Sequence, residues 1–278
     1  MKKRKISRFL TAAMVAVLAL VLVTGCGSSG GSHDDNYPSS DSSVSSSETG
    51  QKRSSADQKA LDQDVADGYL ILVNKEAGNH LDASYQPQDL ERVKYVAQDR
   101  SPAGWSMRHT AAEAFNRLSE DAAKEGIDIV VTTAYRSYDF QTQLFNSYVA
   151  QKGEAEANKT SARPGESEHQ TGLAADLSTK EINYANSSAY GDTAAGRWTA
   201  ENCYKYGFII RFPDGQEGIT GYTYEPWHIR YVGMTAAKEI HDQGITLEEY
   251  IKENKLGNSI PADAQAGADT ETGTGSAQ

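Results

Sequence analysis

The chain has 278 residues, of which 38% are hydrophobic and 23% charged, and its net charge is −11. The hydrophobic content suffices for one folded domain with its own core. The acidic balance argues against nucleic acid or an anionic membrane surface as the main partner, and two cysteines exclude a disulfide-rich scaffold.

The first 25 residues are predicted to be a lipoprotein signal peptide. Five Lys and Arg residues within the first eight positions precede an apolar run of about fifteen residues, shorter than the roughly 20 needed to span a bilayer and typical of secretion. The run ends in Val-Thr-Gly-Cys, which resembles a bacterial lipobox, so we expect lipidation at Cys26 and an extracytoplasmic protein anchored to the cell membrane. The alternative is an unlipidated signal peptide with a chance cysteine. If Cys26 carries lipid, Cys203 has no intrachain partner, and it is predicted to be a small buried hydrophobic residue.

Residues 26–67 and 256–278 are rich in Ser, Gly, Asp and Ala and poor in large aliphatic side chains. Such segments cannot bury enough apolar surface to offset their conformational entropy. We therefore predict a disordered tether at 26–67, a single folded domain at 68–255 and a disordered tail at 256–278.

The domain alternates short apolar runs with amphipathic segments of helical period. In chain order the predicted elements are a strand at 69–74, a helix at 106–126, a strand at 127–135, a helix at 139–153 capped by Ser137 or Asp139, a strand at 173–178 after a Gly172 turn, a helix at 193–207, and strands at 208–212 and 222–232. This order predicts an α+β fold, with helices packed on a small, mainly antiparallel sheet.

A candidate metal site comes from two separated stretches. Residues 167–176 follow the pattern S-x-H-x-x-G-x-A-x-D, and the segment EPWHIRYVG begins at residue 225. His169, Asp176 and His228 together offer two imidazoles and one carboxylate. Three protein ligands leave the fourth tetrahedral position of zinc open, which favours a catalytic over a structural site. Each residue taken alone has an ordinary structural role as an alternative, such as a hydrogen-bonded histidine or a turn-closing aspartate.

Glu225 is the candidate general base. It lies three residues before His228, and residues three apart on a straight strand face opposite ways. Pro226 between them favours a local bend that places both side chains at one site. A solvated surface charge is the alternative role for Glu225.

Taken jointly, these two motifs and the stretches YLILVNK and AYRSYDFQTQLF resemble the VanY-type D-alanyl-D-alanine carboxypeptidases, a group related to the VanX-type dipeptidases and to the hedgehog fold. The resemblance implies zinc bound by His169, Asp176 and His228, with Glu225 as catalytic acid/base. It extends from Leu70 to about Tyr250.

Three further residues are candidates for contacts with substrate. Arg136 matches an active-site arginine of the family, and a fixed guanidinium beside a metal stabilises the oxyanion formed in peptide hydrolysis. Gln141 and Ser167 are suited to hydrogen-bonding the substrate backbone or its terminal carboxylate. The alternatives are a surface ion pair for Arg136 and local capping or turn stabilisation for the other two.

The resemblance implies a monomeric enzyme that removes the C-terminal D-alanine from peptidoglycan stem peptides, with D,D- and L,D-specificity both open. Two alternatives remain in view: a D-alanyl-D-alanine dipeptidase, and a non-catalytic cell-wall-binding lipoprotein that keeps the zinc fold. The presence of Glu225 argues against the second.

Overall fold

A four-stranded antiparallel sheet forms the centre of the fold. The computed structural model describes residues 53–97, 104–258 and 260. The strands of this sheet are β3 (Val130–Thr133), β4 (Ala174–Ser178), β5 (Phe208–Ile210) and β6 (His228–Tyr231), in the spatial order β3-β4-β6-β5. A separate two-stranded sheet pairs β1 (Leu90–Arg92) with β2 (Ser106–Arg108), also antiparallel.

The helices surround these strands. Their bounds are α1 (Ser55–Ala66), α2 (His109–Lys124), α3 (Tyr138–Lys152), α4 (Glu154–Thr160), α5 (Ala194–Asn202), α6 (Glu217–Thr220), α7 (Met234–Gln243) and α8 (Leu247–Glu253), with 3₁₀ turns at Glu168–Thr171, Lys180–Ile182, Ser188–Asp192 and Cys203–Tyr206. The predicted α+β class with an antiparallel sheet is confirmed. Among the described residues, no helix is both long and apolar enough to cross a membrane.

Side-chain alternation gives the central sheet two different faces. Ala175 and Leu177 of β4 and Ile229 and Tyr231 of β6 lie in the main hydrophobic core, together with buried residues of α2 and α5. The intervening residues of both strands point to the opposite face because successive side chains alternate. That second face carries the polar side chains of Asp176, His228 and Arg230.

A second hydrophobic cluster joins the two ends of the described chain. It contains Leu61 of α1, Val232, and buried residues of α7 and α8. Leu61 is fully buried, and Ser54 caps α1 by accepting a hydrogen bond from the Asp57 backbone N–H. The predicted disordered tether at 26–67 is therefore wrong from residue 53 onward, where the Ser/Gly-rich composition gives way to helix formers that include two apolar residues on the packed side. Residues 26–52, with Cys26, lie outside the described residues.

The predicted tail at 256–278 is also wrong at its beginning. The Asn258 side chain exchanges hydrogen bonds with the backbone N–H and C=O of Leu72, at 3.3 and 3.1 Å, and Ile260 is buried. The folded domain therefore extends past residue 255. Residues 261–278 lie outside the described part of the chain.

Residues 69–74, predicted as a strand, belong to neither sheet. Their side chains are buried, but side chains rather than a neighbouring strand satisfy much of their backbone. Arg230 donates to the carbonyls of Tyr69 and Ile71 at 3.1 and 2.7 Å. A run of buried apolar residues therefore resembles a strand in sequence without pairing as one.

Other boundaries are shifted. The predicted helix at 106–126 begins at His109, after β2, and the predicted helix at 193–207 ends its α-helical part at Asn202 before a 3₁₀ turn. Helix α3 is capped as predicted, with Ser137 Oγ accepting from the Phe140 N–H at 3.2 Å. Cys203 is buried as predicted, and burial raises its pKa to about 12.

Candidate active site

Asp176 and His228 are cross-strand neighbours. Asp176 of β4 lies directly opposite His228 of β6 in the antiparallel register, where facing side chains are about 5 Å apart at Cβ. His228 Nδ1 lies 3.1 Å from Asp176 Oδ1. The pairing of β4 with β6 thus brings together two residues that are 52 positions apart in the chain.

His169 reaches the same carboxylate from the 3₁₀ turn that precedes β4. Gly172 ends this turn with φ +69°, in the left-handed region, and a Cβ at this position would lie 2.9 Å from Leu90 Cδ2. A side chain there would be strained and crowded. The turn returns the chain so that His169 Nε2 lies 3.4 Å from Asp176 Oδ1.

The three side chains form a buried cluster that can hold a metal ion. Their ligand atoms lie within 4.8 Å of one another. The separations of 3.1 and 3.4 Å from Asp176 Oδ1 match the ~3.3 Å expected between ligand atoms around a tetrahedral zinc with bonds near 2.0 Å. The structure therefore brings together the three residues that the sequence selected.

Each histidine turns one ring nitrogen toward the cluster and the other toward an oxygen atom outside it. His169 Nδ1 lies 2.7 Å from the Ala134 carbonyl oxygen, which can only accept, so the proton belongs on Nδ1 and Nε2 faces Asp176. His228 is turned the other way, with Nδ1 toward Asp176 and Nε2 toward Glu168 at 3.6 Å. The two rings thus present different nitrogens.

The electrostatics of the cluster favour a cation. Burial opposes ionisation of Asp176, but the two histidines outweigh it and hold the pKa of this carboxyl well below its usual range. Burial, together with Arg136, lowers the pKa of His169 to about 4. Burial also acts to lower the pKa of His228, but Asp176 and Glu168 prevail and raise it to about 9. Metal binding must displace the Nδ1 proton of the charged His228 ring. The negative charge of Asp176 and Glu168 that stabilises the protonated ring also favours a metal ion.

Glu225 lies beside the cluster because of a tight turn. The His228 N–H donates to the Glu225 carbonyl at 3.1 Å across Pro226 and Trp227, so β6 begins at His228 rather than at residue 222. The Glu225 carboxylate comes within 3.9 Å of His228 Nδ1. Burial and the neighbouring Asp176 raise the pKa of Glu225 to about 7, although His228 and Arg136 oppose this. A carboxylate with a pKa near neutrality is suited to accept and return a proton.

Arg136 lines the same cleft at the end of the loop that follows β3. Its Nε is buried and has no hydrogen-bond partner among the described residues. Burial lowers its pKa, although Asp176 and Glu225 act in the opposite direction. The predicted alternative, a surface ion pair, does not describe this environment.

The two weaker candidates have different surroundings. Gln141 is buried, and its Nε2 donates to the Ala162 carbonyl at 2.7 Å, so half of the amide ties α3 to the following segment. Its Oε1 has no partner among the described residues. Ser167 lines the cleft and makes no capping hydrogen bond to the 3₁₀ turn that it precedes.

The cleft has a volume of about 400 Å³, within the range of small-ligand sites. It contains every sequence-predicted site residue of the folded domain, and its aromatic lining includes Phe140, Tyr148, Phe212, Tyr222 and Trp227. Neither this lining nor Glu168 was predicted from the sequence. Glu168 lies inside the S-x-H motif at a position where the motif specifies no residue type, so the pattern gave no signal.

A buried histidine–aspartate–histidine cluster, beside a carboxylate with a near-neutral pKa and an arginine whose Nε has no partner in the described part of the chain, is the arrangement of a metal-dependent hydrolase. Comparison with known proteins gives the family. The family model VanY, D-alanyl-D-alanine carboxypeptidase, matches residues 104–234.

Two relatives and two solved structures agree with that match. YodJ of Bacillus subtilis (strain 168), whose name assigns it provisionally as a carboxypeptidase, is 45% identical over 188 residues, which cover 67% of this chain and 68% of YodJ. VanXYC of Enterococcus gallinarum, a bifunctional D-Ala-D-Ala dipeptidase and carboxypeptidase, is 39% identical over 184 residues, 65% of this chain and 92% of that protein.

Of the structures, the LD-carboxypeptidase LdcB, described with the molecular basis of its peptidoglycan recognition, has a TM-score of 0.61 and 45% identity, covering 65% of this chain and 84% of LdcB. The D,D-pentapeptidase VanY of a VanB-type vancomycin-resistance cassette, in complex with Zn(II), has a TM-score of 0.55 and 33% identity, covering 66% of this chain and 98% of that one. The chain belongs to the VanY family of D-alanyl-D-alanine carboxypeptidases.

Proposed function

We propose that this protein is a zinc-dependent carboxypeptidase that removes the C-terminal D-alanine from peptidoglycan stem peptides. The convergence of His169, Asp176 and His228 on one buried point, with Glu225 3.9 Å from His228, carries the proposal. The similar structures are an LD-carboxypeptidase and a D,D-pentapeptidase in complex with Zn(II), which supports this substrate class and this metal.

In this proposal His169 binds zinc through Nε2, His228 through Nδ1, and Asp176 through its carboxylate. A zinc ion in this position supplies a Lewis acid that polarises the scissile carbonyl and activates water. Glu225 takes the proton from the attacking water and delivers it to the amine of the departing D-alanine, so that the C–N bond breaks and a carboxylic acid and a free amine result.

Arg136 is proposed to stabilise negative charge on the substrate. A half-buried guanidinium in the cleft, whose buried Nε has no partner among the described residues, can donate to the oxyanion that develops as water attacks, or to the terminal carboxylate. Ser167 and Gln141 are proposed to bind the substrate backbone. The Ser167 hydroxyl can donate or accept a hydrogen bond, and Gln141 Oε1 can accept one.

The test is an assay of the purified protein against three peptides: a pentapeptide ending in D-Ala-D-Ala, a tetrapeptide ending in L-Lys-D-Ala, and free D-Ala-D-Ala. Release of one D-alanine from either longer peptide, abolished by a chelator and restored by zinc, is the expected result. If none of the three peptides is hydrolysed in the presence of zinc, the result would favour the non-catalytic cell-wall-binding protein instead.

A dipeptidase is the second candidate, because the chain covers 92% of the bifunctional VanXYC at 39% identity. Cleavage of the free dipeptide at a rate comparable to that of the pentapeptide would identify this activity. Cleavage of the longer peptides alone would exclude it.

We also propose that the protein is a monomer held at the outer face of the bacterial membrane by lipid on Cys26. The observations that support the lipid anchor are the basic start, the apolar run and the cysteine that follows Val-Thr-Gly. One acyl chain binds a membrane marginally, whereas two bind it stably. Wild-type protein should sediment with membranes after cell fractionation, and Cys26→Ala should be soluble or unprocessed. Membrane association of Cys26→Ala with normal cleavage would contradict lipidation at this residue.

A further inference from the structure

We propose that Glu168 is a positioning residue that keeps the proton of His228 on Nε2, so that Nδ1 is available for the metal. This inference rests on the proposed zinc site. Glu168 is neither one of the three proposed metal ligands nor a group that transfers a proton in the proposed reaction.

The orientation of His228 is the first observation. Nδ1 lies on the side of Asp176 and Glu225, at 3.1 and 3.9 Å. Nε2 lies on the other side, buried, 3.6 Å from Glu168 Oε2. Neither Nε2 nor Glu168 Oε2 has a hydrogen-bond partner elsewhere among the described residues, so these two atoms are left to satisfy each other. A ring that binds metal through one nitrogen carries its proton on the other and normally donates it to a carboxylate or carbonyl.

The second observation is that the Glu168 carboxylate cannot easily rotate. Its Oε1 accepts from Arg211 Nε at 2.7 Å and from Arg230 Nη1 at 2.6 Å. Both arginines are almost fully buried. Since both donors occupy Oε1, Oε2 is the oxygen that faces His228.

The arginines are themselves fixed. Arg211 makes a two-pronged contact with the Glu248 carboxylate, at 2.9 and 2.6 Å, and Arg230 donates to the carbonyls of Tyr69 and Ile71. The network of Glu168, Arg211, Arg230 and Glu248 contains two positive and two negative side chains. The network is therefore neutral without His228. Pairing of the two arginines does not explain why a Glu168 oxygen lies beside the His228 ring.

The two histidines therefore have different orienting partners. The backbone carbonyl of Ala134 fixes His169, and a carboxylate anchored by two arginines fixes His228. Glu168 and His169 are adjacent in one 3₁₀ turn. This turn thus supplies one ligand and the group that orients another.

The experiment compares Glu168→Gln with Glu248→Gln in the full-length chain. In Glu168→Gln the single amide oxygen stays with Arg211 and Arg230, which leaves the amide NH₂ facing His228 Nε2. A donor in this place favours the His228 tautomer with the proton on Nδ1. A protonated Nδ1 has no lone pair to offer the metal. Glu248→Gln is the matched control, because it weakens the same network at Arg211 with no contact to His228.

Two quantities are measured: zinc affinity, by competition with a chromophoric chelator, and thermal stability of the zinc-free protein. We expect both variants to lose stability, and Glu168→Gln alone to lose about 10- to 100-fold in zinc affinity, the usual effect of removing an outer-sphere partner. Equal zinc affinity in the two variants would show that Glu168 serves only the arginines, and would overturn the inference.

Nitrogen-15 NMR of the zinc-loaded wild-type protein gives a test that needs no variant. The inference requires the His228 proton on Nε2, and a proton on Nδ1 contradicts it even where Glu168→Gln does not fold. Wild-type protein that binds no zinc overturns the proposed function and this inference together. Zinc binding by wild type and Glu168→Gln with the same affinity overturns the inference alone.

Discussion

Arg136 differs from the pair Arg211 and Arg230 in exposure and in hydrogen bonding, because Arg136 is half-buried whereas the other two are buried. Arg211 and Arg230 lie outside the cleft lining, and carboxylates and backbone carbonyls accept hydrogen bonds from both. Arg136 lines the cleft, and its buried Nε has no partner among the described residues. The pKa directions do not follow the same division: burial lowers the pKa of both Arg136 and Arg230, whereas Glu168 and Glu248 overcome burial and raise the pKa of Arg211.

This difference separates charges that hold the structure from a charge that is kept for a ligand. A buried donor atom without a partner costs folding free energy, so its retention on a charged side chain in a cleft is typical of a functional group. A paired one costs less and fixes the side chains around it. The predictions below test whether activity and stability divide along this line.

The largest effect on activity is expected from loss of a metal ligand. His169→Ala and His228→Ala should each lose most of the bound zinc, and kcat/KM should fall by about 10³-fold or more, since a metal Lewis acid contributes several kcal/mol to the barrier. Elemental analysis and peptide assays measure the two losses. His241→Ala is the control, because His241 stacks on Tyr204 outside the cleft. Full zinc content in either ligand variant would remove that residue from the ligand set.

The next effect is expected from Glu225→Ala. Its carboxylate is placed to transfer protons, so kcat/KM should fall by about 10²- to 10⁴-fold while zinc content and stability stay close to those of wild type. Zinc analysis and thermal unfolding are measured beside the assay. Loss of zinc with this substitution would make Glu225 a ligand instead of a base.

Arg136→Met and Arg211→Met test the comparison directly. Arg136→Met should lower kcat/KM by about 10²- to 10³-fold, the cost of losing one donor to a developing oxyanion, without lowering stability. Arg211→Met should lower the free energy of unfolding by about 3–5 kcal/mol, because it leaves Glu248 without its arginine and leaves Glu168 with Arg230 alone. Urea titration and steady-state kinetics measure both variants. If Arg136→Met is the less stable of the two, the division between the two arginine environments is wrong.

The sequence predicted the candidate site better than it predicted the edges of the domain. His169, Asp176, Glu225 and His228 meet as expected because the motif specifies a left-handed glycine turn, a strand and a second strand that begins after a Pro bend. These are local features that residue types dictate. Only sheet register, which no local pattern shows, makes Asp176 and His228 direct neighbours.

The errors arise where long-range contacts replace local ones. Residues 69–74 have the composition of a strand, but Arg230 and Asn258 satisfy much of their backbone from 159 to 186 positions away. Composition alone cannot reveal such partners. Glu168 could not be predicted for the same reason, because its proposed role depends on contacts with Arg211 and Arg230, which are distant in the sequence.

The smallest effect on activity is expected in the region farthest from this chemistry in the sequence, helix α1. Leu61 is fully buried among residues of α7 and α8, so Leu61→Ala removes apolar contacts and leaves a cavity, at a cost of about 2–5 kcal/mol. The exposed Lys59→Ala in the same helix should change stability by less than about 0.5 kcal/mol. Because neither residue belongs to the cleft, kcat/KM of the folded protein should equal that of wild type in both variants. Urea midpoints and peptide assays at low temperature test the pair. Equal midpoints for Leu61→Ala and wild type would show that residues 53–67 belong to the disordered tether and do not pack on the folded domain.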